Sequence, residues 1–124
     1  MSTQSDRTLG YLRTCMDRRF VEATRKAFEQ ATGLAATDYW HESYAGGSAV
    51  APASTVGEVY SVAHGAQIFG WQAHINNCGG QPGVSDDDIA RRLDAVVAKM
   101  KETYPHGRHF RILAGLEGID IQEA

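Results

Sequence analysis

Apolar side chains recur along this chain in short extended runs separated by stretches of helical period. Residues 8–14 form an apolar run suited to a strand. Val21, Thr24, Phe28 and Ala31 then share one helical face before Gly33 closes the segment. Residues 38–44 read as a second strand, ending in Ala45-Gly46-Gly47. Thr55 followed three residues later by Glu58 is a capping-box signature for a short helix reaching about His64-Gly65, and residues 67–73 form a third strand. Ser85 stands as the N-cap of a longer helix, with Asp86, Asp87 and Asp88 where negative charge suits the helix dipole. Ile89, Leu93, Val96, Val97, Met100 and Tyr104 make its buried stripe, and Pro105-His106-Gly107 stops it. Residues 109–115, with Phe110, Ile112 and Leu113 apolar, supply a fourth strand.

Strand and helix alternate with roughly 30 residues per unit, which predicts parallel strands joined by crossover helices. The expected fold is an α/β domain over residues 1–124, an open and mainly parallel sheet with helices on both faces. Such sheets gather ligands at the carboxyl ends of their strands. Cys15 falls at the end of the first strand and His74 at the end of the third.

Composition narrows the function. The 124 residues are 43% hydrophobic and 22% charged, with a net charge of −3, an ordinary globular balance that offers no basic footprint for nucleic acid or an anionic membrane. No apolar run approaches the roughly 20 residues that span a bilayer, and Met1-Ser2-Thr3-Gln4-Ser5-Asp6 lacks a secretion signal's charged and apolar regions. The expected location is the cytoplasm. There the two cysteines are free thiols, metal ligands or a redox pair rather than a structural disulfide.

Chemistry concentrates in two strings. Leu12-Arg13-Thr14-Cys15-Met16-Asp17-Arg18-Arg19 carries an apolar strand into a thiol, a carboxylate and a guanidinium at alternating positions, which an extended chain would point the same way. The third strand runs into His74-Ile75-Asn76-Asn77-Cys78-Gly79-Gly80, bringing an imidazole and the second thiol. Cys15, His74 and Cys78 match the three protein ligands of a catalytic zinc site, whose fourth position stays open for water. Asp17, held by Arg19, can accept a proton from metal-bound water or close the fourth position itself. The alternatives are an ordinary surface ion pair and a strand-end histidine. Gly46-Gly47 and Gly79-Gly80 serve either close backbone approach or plain turns. The scattered His41, His64, His106 and His109 read as solvent-facing or loop residues. No phosphate-binding fingerprint is present.

The string Cys15-Met16-Asp17-Arg18-Arg19 resembles the Cys-x-Asp-x-Arg motif of the β-carbonic anhydrases. Ala73-His74-Ile75-Asn76-Asn77-Cys78-Gly79-Gly80 is similar to that family's Gly-His-x-x-Cys-Gly-Gly element, and Tyr44-Ala45-Gly46-Gly47 to its Asn-Ala-Gly stretch. The resemblance covers roughly residues 8 to 118. It implies zinc on Cys15, His74 and Cys78, and an Asp17–Arg19 dyad that orients zinc-bound water. The implied reaction is hydration of carbon dioxide to bicarbonate by zinc-bound hydroxide. It also implies a homodimer or larger assembly with the site at the subunit boundary, an expectation supported by the apolar third strand with Phe69 and Trp71. Relatives that hydrolyse carbonyl sulfide or carbon disulfide supply another activity, and a noncatalytic or regulatory homologue or a Cys15–Cys78 thiol switch are the rival readings. Three residues rather than two separate His74 from Cys78 here. For both to reach one ion the Ile75-Asn76-Asn77 segment must loop out, which Asn suits because it tolerates left-handed backbone.

Overall fold

The computed structural model describes residues 8–50 and 54–124; the N-terminal string Met1 to Asp6 lies outside them. In chain order the elements are β1 (Gly10–Cys15), α1 (Val21–Thr32), β2 (Tyr39–Tyr44), a single 3-10 turn (Gly47–Ala49), α2 (Val56–Ala63), β3 (Ile68–His74), α3 (Asp86–Thr103), β4 (Arg108–Gly115) and β5 (Gly118–Glu123). The strands form one sheet in the order β2-β1-β3-β4-β5. The first four are parallel, and β5 folds back antiparallel on β4. The expected α/β architecture is therefore present, with one strand more than the hydrophobic pattern predicted. In β5 only Ile119 and Ile121 alternate with polar neighbours at an exposed sheet edge, so the apolar signal is thin.

Central position explains why β1 and β3 read as nearly continuous apolar runs: every residue of β1, and every residue of β3 after Ile68, is buried. The strand period sends alternate side chains to opposite layers. Leu12 packs with Phe28, Leu34, Tyr39, Phe110 and Ile112 in the layer beneath α1. Tyr11, Cys15, Phe69 and Trp71 pack with Ile89, Leu93, Val97 and Met100 in the layer beneath α3. Helices thus cover both faces, as the strand-helix alternation requires.

The helix ends follow their sequence signals. The Thr55 side chain accepts the Glu58 N–H at 3.3 Å, and Ser85 accepts the Asp88 N–H at 3.2 Å. Glu58, however, does not return to cap the helix as a capping box would have it. Its carboxylate is buried against Arg13, 2.6 Å away, and also accepts from the Tyr104 hydroxyl at 2.5 Å. Two further expectations are corrected by packing. His109 is buried rather than solvent-facing: it accepts the Trp71 indole N–H at 3.0 Å and meets the Tyr104 carbonyl through Nε2 at 2.9 Å, while His41 is half-buried. Phe69 and Trp71 lie at 1% and 0% exposure inside the single chain, so neither offers a surface to a partner. Among the described residues, the exposed large apolar side chains are Met16, Trp40, Val50, Val56, Val59, Tyr60 and Leu116.

Candidate metal centre

The carboxyl ends of β1 and β3, adjacent in the sheet, deliver Cys15 and His74 to one place. Beyond β3 the chain turns through Asn76 and Asn77, both left-handed at φ 64° and 70°, and brings Cys78 back to the same point. The expected loop-out of the extra residue is thus realised by the two residues suited to it. One ligand atom from each of Cys15, His74 and Cys78 lies within 4.8 Å of the others, and all three side chains are buried.

Each donor is set by its neighbours. The Cys15 N–H donates to Gln72 Oε1 at 2.7 Å, and Gln72 in turn donates to Thr24 Oγ1 at 3.1 Å, which ties the end of β1 to β3 and α1. Cys15 Sγ accepts the Gly46 N–H at 3.3 Å, and Cys78 Sγ faces the Gln81 amide nitrogen at 3.8 Å. Gln81 is itself held by Arg92 at 3.1 Å. Gly47 has φ 60°, and a Cβ there would stand 2.5 Å from the Gln72 carbonyl oxygen and 2.7 Å from the Cys15 nitrogen. A Cβ at Gly80 would likewise stand 2.3 Å from the Gly46 nitrogen. Both glycines let loops close onto the strand ends.

His74 carries the decisive detail. Its Nδ1 lies 2.8 Å from the Ile75 carbonyl oxygen, an acceptor, so Nδ1 carries a proton toward it and Nε2 is the nitrogen left to meet another partner. That Nε2 is buried and, among the described residues, has no hydrogen-bond partner. A buried polar atom left without a partner is costly, and an ion or a water at that point is one arrangement that removes the cost. The fit to a metal is good in kind, and the three donor atoms, within 4.8 Å of one another, need to draw together only slightly to share one ion. Two sulfurs and one imidazole nitrogen make a borderline-soft donor set, and tetrahedral coordination needs edges of roughly 3.4–3.8 Å. An imidazole whose other nitrogen is pinned to a carbonyl is the usual arrangement of a metal-binding histidine.

Asp17 and Arg19 do reach the site, but not by the extended alternation expected for them. The strand ends at Cys15, and a turn closed by the Phe20 N–H on the Asp17 carbonyl, 3.1 Å, carries both residues. Asp17 Oδ2 stands 3.5 Å from His74 Nε2 without forming a hydrogen bond to it. Arg19 grips the carboxylate through Nη2 at 2.8 Å and through Nε at 3.2 Å to both oxygens. Those bonds hold the Asp17 carboxyl down at about 2, well below its usual range. A cavity of about 240 Å³ opens beside the cluster, lined by Cys15, Met16, Asp17, Ala45, Gly79 and Gly80. A larger depression of about 500 Å³ lies beyond Asn76 toward the β4–β5 turn, and none of the five predicted site residues lines it.

All five residues singled out from the sequence therefore converge. Gln72 and Gln81 were missed. Gln72 had a visible signal, a lone amide inside the apolar run of β3; Gln81, in a loop, had none. No protein-family model, curated protein or solved structure matches the chain.

Proposed function

We propose that this protein is a zinc enzyme of the β-carbonic anhydrase type, built on that family's open α/β sheet, that hydrates carbon dioxide to bicarbonate. The observation that carries the reading is the buried, partnerless Nε2 of His74 between two thiols, with an arginine-held carboxylate 3.5 Å away. Cys15, His74 and Cys78 would hold the ion. Bound zinc supplies the Lewis acidity that lets a water give up its proton near neutral pH.

The chain's own residues do the rest. Three ligands would leave one coordination position for water, and Asp17 Oδ2, 3.5 Å from His74 Nε2, would be the acceptor for it. Because Arg19 keeps Asp17 ionised, that oxygen is ready to hold the proton of a water and orient its lone pair throughout the physiological pH range. Gly46 and Gln81 share the charge of the two sulfurs. The small cavity suits a compact, linear electrophile, so carbonyl sulfide and carbon disulfide are the alternative substrates. A reducing compartment such as the cytoplasm, which keeps both thiols free, suits this role.

Elemental analysis of protein purified without chelator, paired with stopped-flow hydration of carbon dioxide, tests the reading. The expected result is about one zinc per chain and hydration that disappears with metal removal. Zinc without hydration or hydrolysis supports the noncatalytic homologue, and folded, metal-free protein with two freely titrating thiols overturns the ligand assignment. We further propose a homodimer or larger assembly, in which Trp40 and Tyr60, their tilted rings 4.8 Å apart and exposed on the same side of the chain as the exposed Val56 and Val59 of α2, meet a second copy. Sedimentation at micromolar concentration checks this, and a stable monomer refutes it.

A further inference from the structure

The residue that lengthens the His74–Cys78 segment does more than fit between two ligands. Its left-handed turn aims two consecutive main-chain carbonyls, Asn76 O and Asn77 O, at the same guanidinium nitrogen of Arg19, each at 3.2 Å. That nitrogen, Nη2, is also the one bonded to Asp17 Oδ2 at 2.8 Å. Arg19 is 37% exposed, and an exposed ion pair with free rotamers is held weakly on its own. The carbonyl pair supplies the fixed anchor that the ion pair lacks.

The turn is itself anchored. The Asn76 side-chain oxygen accepts the Leu116 N–H at 2.8 Å, and the Asn76 N–H donates to Asp86 Oδ1 at 3.1 Å, so the β4–β5 turn and the start of α3 both hold it. Asn77 is exposed, and among the described residues its side chain makes no hydrogen bond; what it contributes is its backbone conformation. We propose that Asn76 and Asn77 form a positioning element for the Asp17–Arg19 pair: the left-handed carbonyls fix Arg19, and Arg19 in turn fixes the Asp17 carboxylate beside the metal position. The catalytic consequence rests on the proposed function, whereas the geometric one does not.

The test varies residue 77, which is exposed and whose side chain makes no hydrogen bond among the described residues. Glycine adopts left-handed backbone freely, and a β-branched residue resists it. Asn77→Gly is expected to keep hydration within about twofold of the unaltered protein. Asn77→Val should lower kcat about tenfold, leave KM within about twofold and retain zinc. In an Arg19→Ala background Asn77→Val should cause no further loss, because the element acts through Arg19. A readout independent of activity is the Arg19 Nε–Hε resonance in nitrogen-15 spectra of the zinc-loaded protein: resolved in the unaltered protein and in Asn77→Gly, exchange-broadened in Asn77→Val. Additive losses in the double variant, zinc lost in Asn77→Val alone, or an Arg19 resonance indifferent to residue 77 would each overturn the inference. Absence of hydration in the unaltered protein strikes the proposed reaction instead, and the resonance still decides the positioning role.

Discussion

Breaking the buried Arg13–Glu58 pair should cost more stability than any other single charge change in this chain. The two groups are 2% and 1% exposed with a 2.6 Å contact, and Arg13 sits on β1 two residues before Cys15. At an effective dielectric of about 20 and charge centres about 4 Å apart, their attraction is roughly 4 kcal/mol. The guanidinium also donates through Nε to the Tyr11 hydroxyl at 2.9 Å, and lies 5.0 Å from the Trp71 ring centre. Burial pushes the Tyr11 and Tyr104 hydroxyls above their ordinary range, so both remain protonated donors. Glu58→Gln keeps the shape and one acceptor but leaves the Arg13 charge buried without a counter-ion. Such losses cost about 3–5 kcal/mol. For a chain of this length total stability is on the order of 6–19 kcal/mol, so the variant forfeits a large share of it.

Equilibrium urea unfolding measures the effect as a lower midpoint at unchanged slope. Arg13→Met combined with Glu58→Gln removes the stranded charge, and its loss should fall short of the summed single losses by at least about 1.5 kcal/mol. A Glu58→Gln loss under about 1 kcal/mol, or strict additivity in the double variant, would refute the reasoning. Either result would mean that water reaches the pair.

Cys15→Ser and Cys78→Ser should each reduce bound zinc to a small fraction of one per chain by elemental analysis; full zinc in Cys78→Ser with loss in Cys15→Ser would remove Cys78 from the ligand set. Asp17→Asn preserves shape and removes charge, so hydration should fall by about 10- to 100-fold with a far smaller change in the urea midpoint, and unchanged hydration would reduce the dyad to a surface pair. His109 and His41 are both held below their ordinary range, chiefly by burial, so their neutral forms belong to the folded state. Their contribution is complete above the unfolded value near 6.5 and declines as pH falls through it, because the unfolded chain takes up protons first. Urea midpoints measured from pH 8 to pH 5 should drop below about 6.5. A flat profile would show that both rings accept a proton in place.

The expected strands and helices were legible wherever burial is one-sided or complete over a whole element. β1 and β3 announced themselves because both of their faces are buried, and α3 because its apolar stripe answers to a single layer of neighbours. β5 did not, since an edge strand with two apolar residues has little buried surface to imprint on its sequence. Glu58 misled for a related reason. Its spacing from Thr55 is a local signal, whereas its partner Arg13 lies 45 positions away and becomes its neighbour only when α2 packs on β1. His109 likewise looked like a polar strand-end residue until Trp71 supplied a donor for its ring nitrogen.

The site was legible for the opposite reason: its ligands lie in two short strings at the ends of adjacent strands, so local order nearly determines three-dimensional proximity. What those strings could not show is the state of each atom. That Nδ1 of His74 is engaged and Nε2 is not depends on the Ile75 carbonyl and on the closure of the layer around the ring, including Phe20 at 4.7 Å. Sequence spacing placed an imidazole between two thiols, and only packing leaves one of its nitrogens buried and without a hydrogen-bond partner among the described residues. The case for a metal therefore rests less on the motif than on that atom, because water or an ordinary donor at the same point would satisfy the histidine without explaining why two sulfurs are gathered within 4.8 Å of it.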